Sequence, residues 1–285
     1  MLNLATWLMP IEAALRAQAD AQQAVPMKAY MLDQFAFLGI RAGPRRDALK
    51  GLMKFTGSAD ELLALAEALW RLPEREFRYA AIDLLGPAHL WRTGFYVDGT
   101  VDQGLLRGNL HIRGGGDPKF VMERIADALQ AVRDAGVTAV RGDIVLDQSA
   151  FAVPPADPAA FDGERLRPYN VAPEALLVNF KAVVMGFVPD PTAGVARVTF
   201  EPPLAGLAVD ATVPLSNASC GDWRGGLQAR FDDPNAIRFA GSYPTRCGER
   251  PWPVAYVEPG QYAARALEGM WRAGGGLLTG STRLG

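Results

Sequence analysis

The feature that most constrains this fold is Gly108–Phe120, GNLHIRGGGDPKF, in which a strand pattern ends at three consecutive glycines. Apolar and polar residues alternate before Gly114–Gly116, as in a half-buried strand. Asp117 and the proline after it are typical of a helix start. Apolar residues then recur at helical spacing over Phe120–Gly136, and Val137–Leu146 has the pattern of a second strand. This order predicts a parallel strand pair joined by a right-handed crossover helix.

A glycine-rich turn before a helix also suggests phosphate binding, but the spacing fits neither of the usual motifs. A nucleotide-binding P-loop needs GxxxxGK[ST], and a dinucleotide-binding fold needs GxGxxG. In GGGDPKF, Lys119 follows Pro118 and is not followed by serine or threonine. We therefore interpret the glycines as a tight turn that leads into a helix.

Composition narrows the class of protein. The 285 residues allow one large or two ordinary domains, and with 49% hydrophobic and 21% charged residues they favour a packed core over disorder. A formal net charge of −2 predicts no general attraction to nucleic acid or membranes. The apolar runs are too short for a membrane span. Met1–Met9 lacks a basic start and Glu12 follows it, so we expect no signal peptide and, as written, a cytoplasmic chain.

Residues 1–85 are predicted to be entirely helical. The predicted helices are Leu4–Ala21, Met27–Phe37, Arg45–Phe55, Leu62–Trp70 and Glu74–Leu85. Ser58 and Glu61 have the spacing of a capping box in front of the fourth helix. Short paired helices of this kind are typical of a fragment of a helical-repeat array.

Short motifs follow one another in the remainder of the chain. They are Leu84–Pro87, Trp91–Thr93, Leu106–Leu110, Gly115–Pro118, Gly142-Asp143, Asp147–Phe151 and Pro168–Pro173. Their order resembles the D-alanyl-D-alanine carboxypeptidase/endopeptidase family, the class C low-molecular-mass penicillin-binding proteins of the bacterial periplasm. The resemblance implies a periplasmic protein whose partners are peptidoglycan peptides or β-lactams, with no cofactor.

A second set of motifs lies in the helical segment. It comprises Pro26–Met31, Gln34–Ile40, Arg45-Arg46, Leu69-Trp70, Leu72–Phe77 and Tyr79–Leu85. This set resembles the N-terminal part of the DNA alkylation repair glycosylases, which are built from HEAT-like repeats. That family's catalytic Trp and Asp pair and its later Arg have no counterpart here.

The two resemblances meet at Ala80–Pro87, AAIDLLGP, which fits a helix in either family. We therefore divide the chain into a helical HEAT-like fragment, residues 1–85, and a partial penicillin-binding carboxypeptidase, residues 86–285. The fold class is α+β, with an all-α N-terminal part joined to an α/β and β-rich module.

The second part is predicted to begin with a hairpin and to end with a helix. The hairpin pairs His89–Asp98 with Leu105–Arg113 through the turn Gly99–Gly104, and the helix is Gln261–Ala273. Further β-rich segments are Leu176–Phe187, Val195–Phe200, Leu207–Thr212, Leu227–Phe231 and Ile237–Tyr243. Pro154–Pro168 is predicted to be a proline-rich surface loop.

The resemblance implies acyl transfer by a serine in S-x-x-K, where a lysine one helical turn away activates the serine oxygen. None of the six serines has a lysine three residues on, and S-x-N and K-T-G are absent from the sequence. The family's serine lies shortly before the Ala-Ala-x-Asp-Leu-Leu helix, where the other segment stands instead. We therefore assign no catalytic residue and predict no hydrolysis of D-Ala-D-Ala.

Other candidate sites are few. His89, His111 and the two cysteines do not have the spacing of a zinc site, so no metal is predicted. His111 alternates with apolar residues and is predicted to be a surface side chain. By the resemblance, Asp162 and Tyr169 lie where a pocket receives the free acidic end of the peptide, and they are the candidate substrate-binding residues.

The only two cysteines are Cys220 and Cys247. The resembling family lives in an oxidising compartment, which implies a disulfide between them. Two buried structural cysteines are the alternative.

Three functional hypotheses follow. The first is serine acyl transfer on cell-wall peptides, lost here with its motifs. The second is a DNA-contacting helical fragment that uses the cations Arg41, Arg45, Arg46, Lys50 and Lys54. The third is a non-functional fusion whose two parts pack poorly. Because the last repeat interface of the helical part has no further repeat to cover it, we also expect residues 1–85 to be less stable than residues 105–260 or to self-associate through that face.

Overall fold

The computed structural model describes residues 4–86, 91–151, 153–154 and 156–285. The chain divides into two compact units, Met1–Leu90 and Trp91–Gly285. Each unit has its own hydrophobic core. His89, where the first strand of the hairpin was predicted to begin, lies outside the described residues.

The N-terminal unit is helical, as predicted. Its helices are α1 (Leu4–Arg16), α2 (Ala21–Tyr30), α3 (Ala42–Leu49), α4 (Ala59–Trp70) and α5 (Arg75–Leu85). Helix α1 packs against α3, α4 and α5, and α4 packs along α5. The fully buried side chains at their centre include Ile11, Leu15, Leu65, Leu69 and Phe77.

Helix α2 begins six residues earlier than predicted, because Asp20 caps it. The Asp20 carboxylate accepts hydrogen bonds from the backbone N–H of Gln22 and Gln23, at 2.8 and 3.1 Å. Pro26 therefore lies inside the helix instead of starting it. The helix cannot reach Phe37, because Leu32 and Asp33 take positive φ values of 52° and 58°.

Two other helices are shorter than predicted, and α4 begins at Ala59, three residues before the predicted Leu62 and directly after Ser58 of its capping box. Helices α1 and α3 end at Arg16 and Leu49. Before α4, the Ser58 hydroxyl accepts from the Glu61 N–H and the Glu61 carboxylate accepts from the Ser58 N–H. This reciprocal pair is the predicted capping box.

A buried carboxylate fixes the loop between α2 and α3. Glu76 on α5 has no exposed surface, and its carboxylate accepts hydrogen bonds from the N–H groups of Leu38, Gly39 and Ile40 at 3.0, 2.9 and 3.0 Å. Gly39 has φ +90°, and a Cβ there would lie 2.0 Å from the Asp20 carbonyl oxygen. The loop therefore needs glycine at this position.

The C-terminal unit contains three sheets and three α-helices within its described residues. The strands are β1 (Thr93–Asp102), β2 (Leu105–Gly114), β3 (Ala139–Val140), β4 (Ile144–Asp147), β5 (Ala182–Asp190), β6 (Val195–Glu201), β7 (Ala208–Val209), β8 (Thr212–Ser216), β9 (Ala229–Asp233), β10 (Ala236–Phe239), β11 (Tyr243–Pro244), β12 (Arg250–Ala255), β13 (Leu277–Leu278) and β14 (Thr282–Leu284). The helices are α6 (Met122–Asp134), α7 (Trp223–Gly226) and α8 (Pro259–Ala273).

The first sheet has the order β13-β3-β2-β4-β14, with β1 added beside β2. Strand β2 pairs in parallel with β4, from Leu110 opposite Ile144, so the predicted parallel pair is confirmed. Strand β1 pairs with β2 in antiparallel fashion as far as Asp102 opposite Leu105. The hairpin turn is therefore only Gln103 and Gly104, both at positive φ, and not the predicted Gly99–Gly104.

Helix α6 begins later than predicted, and a distant side chain caps it. Asp117 accepts from the Lys119 N–H at 2.8 Å and so makes a turn, not the helix cap. The helix starts at Met122, whose N–H donates to the Asn179 side-chain oxygen at 3.3 Å.

The β-rich part consists of one sheet of order β11-β8-β6-β5-β12 and a smaller one of order β7-β10-β9. Aromatic rings of Phe187, Trp223, Phe239 and Tyr243 pack together between these strands, with centroids 5.5 to 5.7 Å apart. Strand β12 was not predicted, because prolines occupy two of its six positions. It pairs only with β5, and an edge strand tolerates proline.

Candidate functional site

The three glycines after β2 are a junction where other segments come close to the backbone. A Cβ on Gly114 would lie 2.2 Å from the Ala175 carbonyl oxygen, and one on Gly115 would lie 2.5 Å from that of Arg92. A Cβ on Gly116 would meet the rings of Phe151 and Trp91, at 2.8 and 3.1 Å. The glycines thus allow three separate loops to meet at the carboxyl end of β2.

Two cavities lie beside this junction. The smaller, about 210 Å³, is lined by Gln148, Phe151, Val153, Pro154, Ala156, Ala172, Pro173, Glu174 and Ala175. The larger, about 620 Å³, is lined by Trp91, Arg92, Thr93, Gly94, Tyr96, Arg113, Gly114, Gly115 and Ala150. Four of the motifs that carried the carboxypeptidase resemblance therefore contribute residues to the linings of these cavities, namely Trp91–Thr93, Gly115–Pro118, Asp147–Phe151 and Pro168–Pro173.

The structure brings the predicted residues Asp162 and Tyr169 into direct contact. The Tyr169 hydroxyl donates to the Asp162 carboxylate at 2.7 Å, and the Asn170 side-chain amide donates to it at 2.7 Å as well. The Glu164 N–H adds a third hydrogen bond at 2.9 Å. Asn170 lies within the Pro168–Pro173 motif but was not among the candidate residues predicted from the sequence.

These contacts hold the Asp162 carboxylate ionised. Desolvation raises its pKa, but the hydrogen bonds from Tyr169, Glu164 and Asn170 together outweigh it, so the pKa is lowered. The hydrogen bond to Asp162 in turn raises the pKa of Tyr169. Tyr169 remains 66% exposed, so its ring is open to a ligand. That the pair binds substrate stays a prediction.

Glu174, which lines the smaller cavity, forms a buried ion pair. The Lys181 ammonium is 2.7 Å from the Glu174 carboxylate, and the two side chains are 5% and 17% exposed. Burial raises the pKa of Glu174, although the hydrogen bond from Lys181 opposes the shift.

Lys181 of this ion pair lies in a strained turn. Asn179, Phe180 and Lys181 have positive φ values of 42°, 52° and 50°. The Asn179 side chain bridges the Met122 N–H and the Ala182 carbonyl oxygen and so holds this turn. Only the asparagine, which tolerates positive φ, offered a sequence signal for it.

One face of the first sheet carries charged side chains. His111 lies on this face with its Nε2 atom 3.0 Å from the Asp98 carboxylate, which also accepts from the backbone and side-chain nitrogens of Asn109. The hydrogen bonds from His111 and then Asn109 lower the pKa of Asp98 to about 2. The neighbouring pairs on this face are Arg113 with Asp147 and Arg283 with Asp143.

Several serines make structural hydrogen bonds. Ser58 caps α4, the Ser149 N–H donates to the Asp147 carboxylate at 2.8 Å, and Ser281 donates to Asp143 through its N–H at 3.0 Å. Within the ranges that the structure describes, no group of three or more His, Cys, Asp or Glu side chains could hold a metal ion.

Cys220 and Cys247 form a disulfide, as the resemblance implied, with their Cα atoms 5.1 Å apart. Cys247 is buried at the core of the unit, and Cys220 packs against that core. The bond ties the loop before α7 to the segment between β11 and β12.

In the N-terminal unit, two of the five candidate phosphate-binding cations have partners within the unit. Arg45 is 7% exposed, is 3.1 Å from the Asp83 carboxylate and lies over the Tyr79 ring. Arg41 donates to the Gln23 side chain at 3.0 Å. Arg46, Lys50 and Lys54 are exposed.

Two family models match the chain. One describes the D-Ala-D-Ala carboxypeptidase 3 (S13) family and covers residues 78–285, well over half of the chain. The chain belongs to this family. The other describes DNA alkylation repair enzymes and covers residues 11–94, so the two matches overlap over residues 78–94. Both resemblances expected from the sequence are therefore confirmed.

Similar solved structures include penicillin-binding protein 4 of Haemophilus influenzae, at 18% identity and a TM-score of 0.47. That match covers 67% of this chain and 42% of the other. The same protein in complex with a β-lactam matches at 18% identity and a TM-score of 0.39, over 67% of this chain and 39% of that one. This chain therefore spans about two fifths of the length of those structures. None of its helices, within the described ranges, is long and apolar enough to cross a membrane.

Proposed function

We propose that residues 91–285 bind the peptide of bacterial cell walls, as part of a periplasmic D-Ala-D-Ala carboxypeptidase, and that this chain does not hydrolyse it. Membership of the S13 family supports the substrate class. The observation that carries the proposed inactivity is the sequence itself, in which no serine has a lysine three residues on. Acyl transfer needs a serine oxygen, a base that takes its proton, and donors for the developing oxyanion.

Penicillin labelling tests the lack of hydrolysis. A competent serine of this class forms a covalent adduct with a β-lactam, so fluorescent penicillin should leave the purified protein unlabelled on a denaturing gel. An active penicillin-binding protein, labelled in parallel, is the positive control. A stoichiometric label that survives heat would refute the proposal, and mapping the labelled peptide would identify the serine.

A binding measurement tests the recognition half of the proposal. A peptide ending in D-Ala-D-Ala is titrated into the full chain, with the same peptide ending in L-Ala-L-Ala as its control. We expect Asp162→Asn and Tyr169→Phe to weaken binding, because these two side chains form the predicted pocket and share a 2.7 Å hydrogen bond. Asp190→Asn, which alters an exposed ion pair with Arg197, is the matched control and should leave binding unchanged. Equal binding of the two peptides, or no effect of either pocket variant, would contradict the proposal.

DNA contact by residues 1–85 is a second candidate function, and it is favoured by the alkylation-repair match alone. The exposed cations Arg46, Lys50 and Lys54 would carry it. If they contact phosphates, the affinity for duplex DNA falls as salt is raised, and replacing the three with glutamine reduces the salt dependence. Affinity that is unmeasurable at low salt would exclude this function.

A further inference from the structure

Strand β1 is a long edge strand whose outer side pairs with none of the strands that the structure describes. It runs from Thr93 to Asp102 and pairs only with β2. Residues 96–102 are all exposed, and Val97 and Val101 among them are 47% and 45% exposed. An uncovered edge of this length presents a row of backbone N–H and C=O groups to another chain.

The hydrogen bonds of β2 show which residues of β1 have their backbone groups on the free side. Leu110 on β2 directs its N–H away from β1, to the Asp143 carbonyl oxygen at 3.0 Å. Because this direction alternates along a strand, the odd-numbered residues of β2 face β1, and they lie opposite even-numbered ones, such as Tyr96 opposite His111. The odd-numbered residues of β1, centred on Val97, therefore direct their backbone groups outward.

Other edges of this unit carry prolines that limit pairing. Strands β11 and β12 are the two edges of the second sheet. Proline occupies two positions of β12, Pro251 and Pro253, and the last position of β11, Pro244. Strand β1 contains no proline, so its outer edge is open to pairing along its whole length.

The face of β1 that looks toward α6 is apolar. Phe95 and Val97 line a cavity of about 420 Å³ together with residues of α6 that include Ala128 and Val132. Val101 lies on the same face, because side chains alternate along a strand. An added strand with apolar residues at alternate positions would therefore continue this apolar surface.

We propose that β1 pairs with β1 of a second copy of this chain, antiparallel and across a two-fold axis at Val97. A two-fold axis normal to the sheet keeps each side chain on its own face, so the numbers of opposed residues have a constant even sum. Two such registers overlap the most, one over residues 93–101 and the other over residues 94–102. The second places two Asp98 carboxylates directly opposite each other, which is unfavourable because both are ionised.

The first register opposes no like charges. It sets Val97 opposite the partner's Val97, so that each N–H donates to the other's carbonyl oxygen. Phe95 lies opposite the partner's Gly99, where the ring covers the bare backbone of the glycine. Tyr96 lies opposite the partner's Asp98. A single pair of strands is a small interface, so the dimer forms in reversible equilibrium with the monomer.

Sedimentation velocity of the full chain, from about 5 µM to about 500 µM, measures this equilibrium. We expect the sedimentation coefficient to rise with concentration. Val97→Pro removes only an outward N–H and should weaken dimerisation about 10-fold or more. Val97→Lys, which opposes two charges at the axis, should weaken it without a proline. Val97→Thr keeps the N–H and a β-branched side chain, and is the matched control. Circular dichroism of each variant checks that the fold is retained.

Cysteine cross-linking tests the register. The residue at the axis lies opposite its own copy, with the Cα atoms about 5.5 Å apart, a distance that a disulfide spans. Val97→Cys should therefore give a covalent dimer on a non-reducing gel after mild oxidation. Val101→Cys is equally exposed on the same face but lies about 27 Å from its own copy, so it should not cross-link. The two native cysteines are bonded to each other and supply no thiol.

Each remaining outcome contradicts the proposal. A monomer at every concentration would overturn it and would leave the edge to a different polypeptide. A dimer that Val97→Pro and Val97→Lys leave unchanged would also overturn it, and loss of that dimer in Leu63→Glu with Trp70→Glu would assign the contact to the exposed face of the helical unit. Equal cross-linking of Val97→Cys and Val101→Cys would overturn the register.

Discussion

Asp98 is an exposed residue whose ionisation is coupled to folding. Its pKa in the folded protein is about 2, against an ordinary value of 3.8, because His111 and Asn109 donate hydrogen bonds to the ionised form. A lowered pKa stabilises the fold above the ordinary value, and that stability is lost as the pH falls through the folded value. We therefore expect Asp98 to contribute to the loss of stability between about pH 4 and pH 2.

The measurement is urea unfolding of the protein and of Asp98→Asn at pH 6 and at pH 2.5. The variant should be the less stable at pH 6, and the difference should shrink at pH 2.5, where Asp98 begins to be protonated. Asp102→Asn, at the end of the same strand, is the control for removal of one carboxylate. A difference between Asp98→Asn and the unmodified protein that is the same at both pH values would contradict the assignment.

The disulfide between Cys220 and Cys247 is predicted to stabilise the fold and to leave no free thiol in the oxidised protein. Cys220 and Cys247 are 27 residues apart, and a loop of this length predicts a stabilisation of about 3–4 kcal/mol when the bond is closed. Protein produced in an oxidising compartment and denatured without reductant should show no free thiol by Ellman titration. Two free thiols would refute the bond, and the reduced protein provides the two-thiol control. Replacing both cysteines with serine should lower the midpoint of urea unfolding.

Some residue contacts could be predicted from the sequence, and others could not. Asp162 and Tyr169 are seven residues apart, and the resemblance implied that they lie together; their hydrogen bond agrees with that proximity, while substrate binding there stays a prediction. The strained turn at Asn179–Lys181 had no such signal, because its positive φ values are imposed by distant partners such as Met122 and Glu174. Local preference is overridden where tertiary contacts determine the backbone.

At the scale of elements, Glu76 is the side chain that holds α5 to the loop between α2 and α3. Three backbone N–H groups donate to its buried carboxylate. Glu76→Ala leaves all three buried without an acceptor, so we expect a loss of about 3 kcal/mol or more in the free energy of unfolding. Urea unfolding followed by circular dichroism measures it. Glu67→Ala, which removes an exposed glutamate on α4, is the control and should cost less than about 0.5 kcal/mol. Equal effects of the two variants would contradict this role.

The elements also show where sequence periodicity succeeds and where it fails. Helix α6 and strands β2 and β4 were predicted, because their apolar spacing matches the surface that they bury. Helix α2 begins six residues before the predicted Met27, because Asp20 caps it and Pro26 lies inside it. Strand β12 was missed, because prolines argue against a strand when the edge position is unknown. Both errors concern proline. A proline is tolerated where its missing N–H would have had no hydrogen-bond partner, and the sequence alone does not show which positions these are.

At the scale of the whole molecule, the two family matches predict unequal stability along the chain. Helical repeats bury their apolar faces against neighbouring repeats. Leu63 and Trp70 on α4 and Ile82 on α5 are 53%, 51% and 53% exposed. We therefore expect residues 4–86 to exchange amide hydrogens faster than residues 105–260, or to self-associate through these three side chains.

Hydrogen exchange with mass spectrometry, at two protein concentrations, distinguishes lower stability of the helical unit from its self-association. If the unit is merely less stable, its fast exchange is independent of concentration, because the exposed apolar face costs stability without finding a partner. If it self-associates, protection of α4 and α5 rises with concentration, and Leu63→Glu with Trp70→Glu abolishes that rise by burying charge in the contact. Leu277→Glu, at an exposed leucine of the other unit, is the control. Equal protection of both units in a monomer would contradict the prediction, since it would mean that the exposed face costs the helical unit nothing.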